Sequence, residues 1–173
     1  MEWSSPPVRH PIQAYFLLSI SYSLTRSHNT AVFSRLMERG KASGVRVVAV
    51  NRRDYPGSTP FSDEDKRVLN SGTDAERAAF LREQGVEIAT FVDRLIEKNG
   101  LPPLSADKKS GGVQLMGWSF GATLAMAALA NLDALPEASQ TRLAAHLRSL
   151  ILFGTFRLAP QPPPLALGSH TYV

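Results

Sequence analysis

The chain has 173 residues, enough for one domain with a sizeable core. Its 43% hydrophobic and 20% charged residues suit an ordinary globular protein, and the absence of cysteine excludes disulfides, thiol catalysis and thiolate metal sites while fitting a reducing compartment. Lys and Arg exceed Asp and Glu by only 19 to 15, with no basic run beyond Arg52-Arg53 and Lys108-Lys109, which argues against a nucleic-acid partner.

Taken in chain order, the first apolar run is Pro11-Ile12-Gln13-Ala14-Tyr15-Phe16-Leu17-Leu18-Ser19-Ile20, following Arg9. It has two readings, the core of a secretory signal or a buried strand. It is too short to span a bilayer and no small-x-small cleavage site follows it, so residues 14–20 are read as a strand. Residues 30–41 carry Val32, Phe33, Leu36 and Met37 on one helical stripe. Residues 45–50 form a second short, continuous apolar run, which suits a parallel strand covered on both faces. Residues 73–98 repeat apolar side chains at helical spacing, with a break expected near Gly85. Leu101-Pro102-Pro103 ends that helix, and residues 105–112 form a polar loop. Residues 113–116 make a third strand, residues 136–147 a helix opened by proline, and residues 150–153 a fourth strand. The tail Ala159-Pro160-Gln161-Pro162-Pro163-Pro164 shows no pattern of strand or helix. The order predicts an α/β fold, a mostly parallel sheet of about four strands flanked by helices. The sequence carries no internal repeat and no metal-ligand cluster.

The third strand leads into Gly117-Trp118-Ser119-Phe120-Gly121 and then an alanine-rich helix. A strand, a Gly-x-Ser-x-Gly turn and a helix are the setting in which a serine becomes a nucleophile. The turn strains the serine backbone so that its hydroxyl points out of the sheet. Gly117 and Gly121 let strand and helix pass closely, and the Phe120 N–H at the helix start is an oxyanion donor. The alternative is a plain strand–helix turn with a capping serine.

These residues resemble the α/β-hydrolases. The elbow Gly117–Gly121 looks like theirs, and Asn51-Arg52-Arg53-Asp54-Tyr55-Pro56-Gly57-Ser58-Thr59 resembles their Asp-x-x-Gly-x-Ser-like turn. Together with Gly111-Gly112-Val113, these segments look like a group of fungal α/β-hydrolases of largely unassigned substrate, over residues 29–153. The resemblance implies that the four runs are the third to sixth strands of that sheet, in the order fourth, third, fifth, sixth. It places the loop 21–30 beside Ser119, at a switch point of the sheet. That loop normally supplies the second oxyanion N–H, often from a His-Gly pair; here it has His28 and no glycine. Residues 1–28 are therefore a divergent N-terminal segment, residues 29–153 a partial hydrolase core, and residues 154–173 a Pro-rich tail.

In this family the chain order is nucleophile, acid, histidine. After Ser119 the candidates are Asp133, Glu137, His146 and His170. Asp133 and Glu137 read as cap charges on the side away from the site, His146 as a cation at a helix end, and His170 as a tail residue within reach. The expectation is a serine-nucleophile ester, thioester or amide hydrolase, truncated, with an incomplete triad. It would act on a small-molecule acyl substrate, without metal or organic cofactor or membrane span, in the cytoplasm. The competing expectation is a non-catalytic fragment or pseudoenzyme that keeps the pocket as a binding module. A nucleotide-binding reading is weaker, since neither Gly-x-Gly-x-x-Gly nor a Lys-bearing phosphate loop follows the first strand.

Overall fold

The computed structural model describes residues 33–55 and 57–154, and residues 13–19 as a backbone path. The expected oxyanion loop 21–30 with His28, and the Pro-rich tail with His170, lie outside the described residues.

Four strands form one parallel sheet in the order β2-β1-β3-β4: β1 Gln13–Ser19, β2 Val45–Asn51, β3 Val113–Trp118 and β4 Leu147–Phe153. The first strand in sequence is thus flanked on both sides, with Ala14 opposite Arg46 on β2 and Val113 on β3. β4 begins three residues earlier than its apolar run, because Leu147 pairs with Val113 before the irregularity at Val113/Gln114.

The strand alternation sorts the helices onto two faces. On β2, Val48 and Val50 pack toward the buried clusters under α3 (Asp74–Asn99) and α4 (Phe120–Ala130). Val45 and Val47 face the other way, onto α1 (Ser34–Ala42), where a Cβ on Gly40 would stand 2.6 Å from Val47 Cγ2. β3 alternates likewise: Val113, Leu115 and Gly117 are buried. Trp118, on the α1 face, meets the Phe33 ring edge-on at 5.8 Å. The main core joins Ala89, Val92 and Ile96 of α3 to Val113, Leu115, Ala125, Ala128 and Leu143, the last from α5 (Glu137–His146).

The expected break near Gly85 is absent: α3 runs unbroken for 26 residues. Gly85 is buried because α4 crosses there; a Cβ would lie 2.5 Å from the Ala127 carbonyl carbon. α3 starts with a capping box between Thr73 and Glu76 and ends at Gly100 with φ 54.

A helix not foreseen, α2 (Asp63–Ser71), precedes it, opened by a Ser62–Asp65 capping box. Arg67 bonds Glu64 and Glu76, tying α2 to α3. The Arg67 hydrogen bond, followed by the Thr73 backbone N–H, pulls the Glu76 carboxyl down to about 2. No helix among the described residues is long and apolar enough to cross a membrane.

Candidate functional site

β3 ends at Trp118 and α4 begins at Phe120, leaving Ser119 alone at the junction with φ 56 and ψ −128. A side chain at positive φ carries strain of about 1–3 kcal/mol and persists where its surroundings enforce it. Two contacts enforce it here. The Ser119 N–H donates to the Phe153 carbonyl at 2.8 Å, tying the turn to the end of β4. The Ser119 carbonyl accepts from Ala122 N–H at 2.9 Å, closing the first turn of α4. Gly117 permits the crossing, since a Cβ there would stand 2.6 Å from Ala122 N and would also overlap the Gly121 carbonyl. Gly121 is buried at the same crossing. The Ser119 side chain is partly exposed and makes no capping hydrogen bond to α4, so the capping alternative does not describe this residue.

Phe120 opens α4, at the helix end where the macrodipole is positive. Its ring lies under the Arg52 guanidinium, 5.4 Å from Cζ, and the same guanidinium stands 4.9 Å over the Tyr55 ring. The loop after β2 is thereby joined to the elbow across β1. That loop is folded tightly. Asp54 has φ 70, its N–H donates to the Thr59 carbonyl at 2.9 Å, and its Oδ1 accepts from Phe61 N–H at 3.3 Å. Gly57, at φ 83, supplies the reversal. Arg53 ion-pairs with Asp65 at 2.9 Å. The Ser62 amide and hydroxyl, then Arg53, hold the Asp65 carboxyl below the usual range.

The candidate acids and histidine stand elsewhere. Asp133 lies in a 3-10 turn past the far end of α4, and Glu137 in the first turn of α5, both exposed. The eleven residues of α4 separate them from Ser119 by about 16 Å of helix. His146 closes α5 at the opposite end of the sheet; a Cβ on Gly112 would stand 2.8 Å from its carbonyl oxygen. Six strand residues, about 20 Å, lie between that end and Ser119. His146 is 9% exposed. Its Nδ1 is 2.7 Å from the Arg142 carbonyl and its Nε2 3.0 Å from the Leu101 carbonyl. It joins α5 to the segment after α3, a structural role in keeping with its place at a helix end.

Two features escaped the sequence. Arg52 was legible only as half of a basic pair, yet it is packed between two aromatic rings beside the elbow. Buried Asp93 on α3 accepts from Arg142 Nε at 2.7 Å and from Ser139 Oγ at 2.8 Å. The Arg142 hydrogen bond is the main reason its carboxyl is held below the ordinary range, against the effect of burial.

Fold and site together define a parallel α/β protein with a strained serine at a strand–helix junction. Comparison of the chain with known protein families, with curated proteins and with solved structures finds no match.

Proposed function

We propose that the chain is an α/β-hydrolase-like protein in which Ser119 is the nucleophile toward ester, thioester or amide bonds. The observation that carries this reading is the Ser119 backbone at φ 56 and ψ −128, with its hydroxyl uncommitted to a helix cap. A strained junction of this kind is what an exposed nucleophile on a strand–helix turn requires. In the proposed reaction Ser119 attacks the acyl carbon and the Phe120 N–H stabilises the oxyanion, aided by the α4 dipole. The β2-β1-β3-β4 order, with β1 between β2 and β3, supports the resemblance to the third to sixth strands of that family's sheet. The reading needs neither metal nor organic cofactor.

The second reading, a non-catalytic binding module, is favoured by one observation. The one described histidine, His146, is committed to two carbonyls at the opposite end of the sheet. Without a base near the serine, turnover falls by about 10⁶ while oxyanion and binding effects leave roughly 10³–10⁴ over water. The test separates the two. A fluorophosphonate probe and p-nitrophenyl acetate are applied to the full chain and to Ser119→Ala. Labelling and slow ester cleavage that both vanish in the variant support the nucleophile. Absence of labelling in the folded wild-type chain overturns it and leaves the binding module.

A further inference from the structure

A cavity of about 200 Å³ opens where the end of β2 and its loop meet α3 and α4. Ser119 is not among the residues that line it. Its floor is apolar: Val50, Ile88 and Leu124 belong to the small second cluster of the core. Its rim is polar, with Arg52, Thr59, Gln84 and Glu87.

The rim charges are not equivalent. Arg53 is neutralised by Asp65, whereas Arg52 has no carboxylate partner among the described residues; it meets two aromatic faces and the Tyr55 hydroxyl at 3.5 Å. Arg52 Nε, like Arg53 Nε, is a buried donor without an acceptor, but only Arg53 has a carboxylate to offset its charge. Gln84 is only 7% exposed, and its side-chain amide reaches nothing nearer than Glu87 Oε2, at 3.4 Å. A half-buried cation without a carboxylate partner and an under-used buried amide above an apolar floor are complementary to one negative charge on an apolar body. Glu87 at the same rim disfavours a second negative charge.

We infer that this cavity binds a small monocarboxylate with an apolar chain of about six carbons, its carboxylate held by Arg52 and Gln84 and its chain lying on Val50, Ile88 and Leu124. Guanidinium and carboxylate match as a planar fork, which favours this head group over a point anion. The site is separate from the proposed nucleophile and stands whether or not Ser119 is reactive.

The test uses sodium hexanoate on the full chain, followed by methyl NMR of Ile88 and Leu124 and by ligand-observed saturation transfer. Saturable shifts at both residues are expected, with the affinity in Ser119→Ala unchanged. Arg52→Gln weakens binding about tenfold or more, the value of one charge-assisted pair. Thr59→Trp, at an exposed rim position that leaves the core untouched, blocks entry and keeps the test open if the Arg52 variant fails to fold. Equal binding of hexanol, displacement by inorganic phosphate at matched concentration, shifts confined to residues outside the cavity, or binding unaltered by Thr59→Trp would each overturn the proposal.

Discussion

At Ser119 the backbone conformation and the residue type are in conflict, and the conflict is measurable. Replacing Ser119 by glycine removes the cost of a side chain at φ 56. Strain relief of about 1–3 kcal/mol outweighs the roughly 0.5–1 kcal/mol of extra chain entropy that glycine brings to the unfolded state. Ser119→Gly is therefore expected to raise stability by about 1 kcal/mol in urea unfolding while abolishing fluorophosphonate labelling; a destabilised Ser119→Gly would show that the turn is unstrained. Gly117 behaves oppositely. Its absent Cβ would overlap Gly121 and Ala122, so Gly117→Ala is expected to lose about 1–3 kcal/mol, read from the same urea midpoints.

Among the elements, the α3–α4 crossing sets two known effects against each other. Gly85→Ala gains about 1 kcal/mol in helix propensity. The added methyl would meet the α4 backbone at 2.5 Å, closer than side-chain adjustment can relieve. Overpacking then dominates, and a net loss of about 1–2 kcal/mol is expected in chemical unfolding. This also explains why the sequence misled at Gly85: a glycine inside a helical pattern looks like a break, and only the neighbouring helix reveals it as a point of contact. Similarly, α2 was illegible because its segment buries Val68 alone and is held by capping and ion pairs rather than by an apolar stripe. The β3–elbow–α4 unit was legible for the converse reason: its apolar run, paired glycines and alanine-rich helix are all local signals. Arg52 was not, since its ring partner Phe120 is brought to it by tertiary structure. The Asp93–Arg142 link between α3 and α5 carries a pH dependence. Asp93 binds its proton less readily when folded than its ordinary value of 3.8 implies. Its contribution is therefore full above that value and is lost as pH falls through the lower folded value. Asp93→Asn is expected to cost about 2 kcal/mol at pH 7, and the gap from wild type should narrow as urea titrations move below pH 4.

For the molecule as a whole, the described residues cover the two sheet faces unequally. On the α1 face of β3 and β4, register pairs Met116 with Ile151 and Trp118 with Phe153, and Phe153 is 61% exposed. Among the described residues β4 pairs on one side only, so an open strand edge adjoins an apolar surface. Self-association that rises with concentration is expected in light scattering, and Ile151→Lys with Phe153→Lys should suppress it without lowering the unfolding midpoint. The strand order also dictates a history. β1 leaves the ribosome first yet lies between β2 and β3, so a β1–α1–β2 unit can assemble before the rest of the sheet has been made. β3 must then return across more than ninety residues to β1, a costly loop closure that slows folding. Because the Ser119 amide is satisfied by Phe153, the elbow acquires its geometry only when β4 docks. The serine is thus set only after β1, β2 and β3 have been made, and is the first to lose its shape if β4 frays.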